Sequence, residues 1–121
     1  MTARAIARVD VGAIQANTAR MRRELQRAEL CAVVKADGYG HGAVPAARAA
    51  LAGGATWLAV AAAHEATELR DAGIADVPIL VLGALTSDEL DVALAAGADV
   101  VAWREELVAA VAARGGGRVH V

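Results

Sequence analysis

The sequence predicts an α/β fold assembled from parallel β/α units, and three observations carry that reading. Short apolar runs centred on Val33, Leu58, Leu80, Val100 and Val119 are separated by 25, 22, 20 and 19 residues. Stretches with helical spacing lie between them, and apolar strands alternating with crossover helices build parallel sheets. Glycines at Gly53-Gly54, Gly73, Gly97 and Gly115-Gly116-Gly117 fall where those helices should stop. No self-similarity of sequence accompanies the period, so it is architectural and not that of a solenoid. A doubly wound sheet and a closed barrel share this pattern, and periodicity alone leaves both open.

Taken in order, Ala3 to Val9 alternates loosely and reads as a short strand, with Asp10 as the N-cap of a helix. Ile14, Met21, Leu25 and Ala28 place an apolar stripe on that helix, and Arg20, Arg22, Arg23 and Glu24 fill its solvated faces. Cys31-Ala32-Val33-Val34 reads as a buried strand ending at Lys35. Gly38, Gly40 and Gly42, interleaved with Tyr39 and His41, lead into a helix faced by Val44, Ala47 and Leu51. Trp57 to Ala61 is a second buried strand, and His64 to Ala72 a helix with Leu69 inward. Pro78 to Leu82 is a third strand, with proline tolerated at its first residue. Thr86 and Glu89 form a capping box for a helix whose core side carries Leu90 and Leu94. Val100 to Trp103 is a fourth strand. Glu105 to Arg114 is a helix with Leu107 and Val111 on one side, and Arg118 to Val121 begins a fifth strand.

At 121 residues the chain has the size of one domain. It is 57% hydrophobic, much of that alanine and valine, with a mean hydropathy of +0.42. A net charge of −2 and a pI near 5.9 show no basic surplus, which argues against nucleic acid or an anionic membrane as partner. The single cysteine, Cys31, cannot form an internal disulfide. Its place in an apolar run reads as a buried thiol, and the chain suits a reducing cytoplasm. Arg4, Arg8 and Asp10 interrupt any signal-peptide pattern, and the apolar run from Trp57 to Ala63 is far too short to span a bilayer.

The chemistry is sought in CAVVKADGYGHG, Cys31 to Gly42. A lysine at the carboxyl end of a core strand, facing a glycine-rich loop, stands where α/β folds place their active sites. Such a lysine commonly snorkels to solvent. Its functional use is as a Schiff-base lysine, because desolvation favours the neutral amine that attacks a carbonyl. The glycines let backbone N–H groups approach something anionic, and Tyr39, the only tyrosine, adds a phenolic donor. Asp37-Gly38 also reads as an ordinary turn dipeptide. His41 reads as a hydrogen-bonded loop residue, since no second metal ligand lies at helical or hairpin spacing, and no metal site is expected. The glycine spacing does not match a dinucleotide fingerprint, and Ala43-Val44 stands where a P-loop needs Lys-Ser/Thr.

AVVKADGYGHG resembles the signature of the alanine racemases, pyridoxal-phosphate enzymes with a lysine on the first barrel strand and a tyrosine four residues on. ARVDVGAIQAN resembles the start of that family, WLAVAAAHEATELRDAGI its second strand and helix, and PILVLG its third strand. The resemblance implies a TIM-type barrel, of which these β/α units form about the first half. It divides the chain into residues 1–30, an N-terminal strand and covering helix, and 31–121, four β/α units and the start of a fifth strand of the cofactor-binding barrel. It implies Lys35 as catalytic lysine, with Lys35, Tyr39, Val33 and Leu82 as contacts of pyridoxal 5′-phosphate. Glu65, Ala66, Leu69 and Arg70 match the family's pattern and read as scaffold, with Glu65 serving the helix start. His64 reads as a surface or capping residue. The activity implied is interconversion of L- and D-alanine for peptidoglycan precursors, by a cytoplasmic homodimer. The family's second base, a tyrosine from the other subunit, and most of its cofactor anchors lie outside these residues, so the 121 residues alone are expected to be inactive. A non-catalytic pyridoxal-phosphate binder, or a relic of the same fold, is the alternative.

Overall fold

The computed structural model describes residues 2–121. Five strands, β1 (Cys31–Val33), β2 (Trp57–Val60), β3 (Ile79–Val81), β4 (Asp99–Val101) and β5 (Val119–His120), form one parallel sheet in the order β1-β2-β3-β4-β5. Each unit adds its strand to the same edge. A doubly wound sheet reverses direction part-way, so the sequential order selects barrel-type winding. The helices are α1 (Val11–Glu24), the short turn α2 (Lys35–Tyr39), α3 (Ala43–Ala52), α4 (Ala63–Asp71), α5 (Ser87–Ala95) and α6 (Glu105–Ala113).

The core lies between sheet and helices. Leu58 pairs with Ile79, and Val60, Val81 and Val100 follow in register, all fully buried. They meet Ala47 of α3, Ala66 and Leu69 of α4, Leu90 and Ala93 of α5, and Leu107 and Val111 of α6. Each fully buried leucine or isoleucine contributes about 1.5–3 kcal/mol. On α3 the buried stripe is Ala43, Ala46, Ala47, Ala49 and Ala50, while Val44 and Leu51 are half-buried at its flanks. Small residues are needed there because α1 packs closely on α3. A Cβ at Gly53 would stand 2.5 Å from the Gln15 carbonyl and 2.7 Å from Thr18 Cβ.

The N-terminal segment departs from expectation. Residues 2–10 are exposed and form no strand, for no sheet edge in the described residues is paired with them. Asp10 does cap α1, accepting from Ala13 N at 3.0 Å. The helix stops at Glu24, however, so Leu25 and Ala28 lie beyond it, and Met21 is exposed. The buried residue of α1 is Thr18, whose hydroxyl donates to the Ile14 carbonyl at 2.8 Å and is thereby satisfied against α3.

β1 is also less buried than an apolar run suggests. It has a neighbour on one side, and Cys31 and Val33 are exposed while Val34 is buried. The reading of Cys31 as a buried thiol is therefore corrected: an edge strand leaves it at the surface. Enough apolar surface still crowds Cys31 that desolvation pushes its thiol pKa up.

Candidate active site

The site is built at the carboxyl ends of β1, β2 and β3. Lys35, the only lysine in the chain, immediately follows Val34, whose N–H donates to the Ala59 carbonyl of β2 at 2.9 Å. The next peptide is pinned as well, since Ala36 N–H donates to Glu65 Oε2 at 2.8 Å. Lys35 is thus held on both sides by the strand and helix of the neighbouring unit. It is half-buried, between the wet and the fully desolvated extremes.

Beyond Lys35 the backbone turns left-handed. Ala36, Asp37, Gly38 and Tyr39 have φ of 51°, 54°, 63° and 56°. Three of these are not glycine, and each such residue costs on the order of 1–2 kcal/mol in this region. The turn persists because it is bonded throughout. Gly38 N–H donates to the Val34 carbonyl, Gly40 N–H to those of Ala36 and Asp37, His41 N–H to Gly38 and Gly42 N–H to Asp37. Asp37 Oδ1 accepts from Ala43 N at 3.0 Å and so holds the start of α3. His41 places Nδ1 3.0 Å from the Gly38 carbonyl, the loop role its sequence position suggested.

These bonds correct one expectation. The N–H groups of residues 36, 38, 40, 41, 42 and 43 are already paired within the protein, so the glycines do not offer an amide cradle to an anion. They serve the left-handed path instead. What the loop presents outward is the Tyr39 side chain, 58% exposed.

The rim of β3 closes against the same corner. Leu82 N–H donates to the Val60 carbonyl at 2.8 Å and Gly83 N–H to Ala61 at 3.0 Å. A Cβ at Gly83 would lie 2.4 Å from the Ala61 oxygen, so glycine is required for β2 and β3 to approach there. Leu80 and Leu82 are half-buried and alternate with the buried Ile79 and Val81, which puts them on the face away from the helices. Val33 shares that face, in register with Ala59, Leu80 and Asp99. An apolar groove of about 480 Å³ between α1 and the free edge of β1 takes in Val33 and Tyr39; Lys35 and Leu82 are outside its lining.

Three participants escaped sequence reasoning. Glu65 is more than a helix-start residue, as its bond to Ala36 shows. Trp103 lies past the end of β4 and donates from Nε1 to the Leu82 carbonyl at 2.9 Å, bracing that rim. Asp99, 1% exposed on β4, accepts from Arg118 Nε at 2.7 Å and pairs with His120 Nε2 at 2.9 Å. His120 in turn meets Trp57 edge-to-face, with ring centroids 5.6 Å apart. The spacing of Asp99 from Arg118 and His120, about one strand period, is the sequence signal that could have found this cluster.

Residues 9–121 match the family model described as "Alanine racemase, N-terminal domain". The chain belongs to the alanine racemase family. An alanine racemase of Thermobifida fusca is 48% identical over 126 residues, covering 100% of this chain and 33% of that protein. One from Beutenbergia cavernae is 60% identical over 74 residues, covering 61% of this chain and 20% of its own. Among solved structures, alanine racemase from Streptomyces coelicolor superposes with a TM-score of 0.81 at 41% identity, over 92% of this chain and 31% of that one. The Bacillus anthracis racemase with bound L-Ala-P gives 0.77, also at 41% identity, over 84% and 26%. The chain therefore spans about a third of the length of the racemases it matches. The parallel sheet described above corresponds to the N-terminal part of the racemase barrel domain.

Proposed function

We propose that this chain is the cofactor-lysine portion of an alanine racemase, with Lys35 holding pyridoxal 5′-phosphate and L- and D-alanine as the substrate pair. The observation that carries the reading is the pinned corner. The chain's single lysine stands at a strand end between Val34 and Ala36, whose N–H groups are both tied to the next β/α unit. The side chains present fit the group. Lys35 is a primary amine for its aldehyde carbon, Tyr39 an exposed phenol for its phosphate, and Leu82 and Val33 apolar neighbours for its ring.

Lys35 Nζ is the amine that would hold the cofactor at its aldehyde carbon and, with the substrate amine at that carbon instead, would be free to act as a base. When bound, the cofactor would supply an electron sink for deprotonation at the substrate Cα. Freed Lys35 Nζ then holds or returns the proton on one face of Cα, the face of the D enantiomer by family resemblance. A second base on the opposite face is needed to invert the centre, and the resemblance assigns it to a tyrosine of the other subunit. The protein is accordingly read as part of a cytoplasmic homodimer that supplies D-alanine for peptidoglycan. The named relatives support this assignment. Among the described residues no helix is long and apolar enough to cross a membrane.

The test is to mix the purified chain with pyridoxal phosphate, reduce with borohydride and map the modified peptide by mass, with Lys35→Ala as control. A phosphopyridoxyl group on Lys35, absent from the variant, is the expected result. No label above that of the variant would overturn the cofactor assignment. Racemisation of alanine by the 121 residues alone is expected to be undetectable by chiral chromatography, because they carry Lys35 and no opposing base.

A further inference from the structure

We propose that Glu65 is the positioning residue of the Lys35 corner. Its carboxylate joins the peptide after the lysine to the rim of β2, so that the amine is presented in one orientation. This rests on the assignment of Lys35 as the cofactor lysine.

The geometry is specific. Glu65 occupies the third position of α4 and is 9% exposed. Oε1 accepts from Ala61 N at 3.0 Å and Ala62 N at 2.8 Å, the peptides at which β2 turns into α4. Oε2 reaches across to Ala36 N at 2.8 Å, 29 residues away in sequence. Three N–H donors, two oxygens and burial leave this side chain little rotameric freedom. A helix start alone would need only the first two bonds.

The third bond falls where the chain is most strained. Ala36 begins the left-handed turn at φ 51°, a conformation an alanine holds only when its surroundings over-determine it. The N–H before Lys35 is held by the β2 backbone and the N–H after it by Glu65. Without the carboxylate, Ala36 N–H loses its partner and the turn loses its anchor at the residue next to the lysine. Register along β1 would survive; the direction in which Lys35 leaves the strand would not.

Glu89 provides an internal control. It stands at the same third position of α5 and reaches back to Thr86 N at 2.8 Å, a cap without a link to another unit. Four chains are compared: wild type, Glu65→Gln, Glu65→Asp and Glu89→Gln. The glutamine at 65 keeps the shape but supplies one accepting oxygen, and the aspartate keeps the charge but is one methylene short. Two quantities are measured on each, the amide hydrogen exchange of Ala36 and the rate at which pyridoxal phosphate and borohydride label Lys35. Circular dichroism verifies folding.

Loss of a charge-assisted bond is worth about a tenfold change. Ala36 exchange is therefore expected to accelerate about tenfold in both Glu65 variants, and Lys35 labelling to slow by a similar factor, with Glu89→Gln at the wild-type value for both. Labelling within twofold of wild type in Glu65→Gln would overturn the positioning role while leaving the cofactor assignment intact. Equal slowing in Glu89→Gln would overturn it also, by showing a general effect of a lost cap. Failure of the wild-type chain to label would remove the cofactor assignment and this inference with it.

Discussion

Gly38 answers to two constraints at once, and it shows how much of the site is decided residue by residue. Its φ is 63°, and an added Cβ would meet Ala46 Cβ at 3.2 Å and the Ala43 backbone at 3.3 Å. Gly40 has φ 85° but nothing within 4 Å of a Cβ. Gly40→Ala should therefore cost only the backbone term, about 1 kcal/mol, whereas Gly38→Ala adds overpacking against α3 and should cost about 2–4 kcal/mol. Urea midpoints at constant slope measure both, and equal losses would mean that the contact with α3 is not tight. Cys31 gives a pH-dependent expectation at the same scale. Desolvation raises its thiol pKa in the folded chain, so the unfolded chain releases this proton at lower pH. Any stability linked to the thiol is complete below the ordinary thiol range and is lost as pH rises through the raised value. The iodoacetamide alkylation midpoint should accordingly lie higher in the native chain than in urea; an equal or lower midpoint contradicts this. Lys35 and Tyr39 were legible in the sequence because a motif marks them. The left-handed path through Ala36 and Asp37 was not, since alanine does not favour it and Asp37-Gly38 reads equally as an ordinary turn. It exists through bonds to Glu65 and Ala43 that close only in the fold.

At the scale of elements, caps were easier to read than faces. Thr86 and Glu89 cap α5 as their spacing indicates, with Glu89 N donating to Thr86 Oγ1 at 3.3 Å and Thr86 N to Glu89 Oε2. Asp10 caps α1 in the same local way. Such bonds span three residues, so sequence holds both partners. The face of α1 is decided by its neighbour: α3 approaches at Gly53 and selects Thr18, not Met21, for burial. β4 begins one residue before the expected Val100 and ends two before Trp103 for a similar reason, as Asp99 reads as a loop residue until Arg118 and His120 are beside it. Two substitutions test the reading of the caps. Thr86→Ala should cost about 1 kcal/mol through loss of the side-chain acceptor. Arg104 begins α6 with extended backbone and no side-chain cap, so Arg104→Ser should stabilise by about 0.5–1 kcal/mol. Thermal melts decide both, and a neutral Thr86→Ala would mean that Glu89 alone fixes that helix start.

For the whole molecule, periodicity established parallel β/α units but could not choose a winding. The choice lies in strand order, a relation among segments about 20 residues apart that no local pattern records. Arg70 shows what keeps successive units in that order. From the end of α4 its Nη1 donates to the carbonyls of Ile74, Ala75 and Val77, in the connection to β3. Its Nε donates to the Ala96 carbonyl at the end of α5, one unit further on. One guanidinium thus closes its own unit and clamps the next. The planar fork is needed for this, because the two sets of carbonyls lie in different directions and an ammonium can serve only one of them. Arg70→Met should cost about 3 kcal/mol, and Arg70→Lys should recover less than half of that. The location of the loss separates a shared clamp from an ordinary loop bond. Hydrogen exchange should accelerate together at Ile74, whose N–H donates to Leu69, and at Ala98, whose N–H donates to Ala93. Acceleration at Ile74 alone would mean that Arg70 serves only the turn after α4, and that α5 keeps its place through the apolar contacts of Leu90 and Ala93.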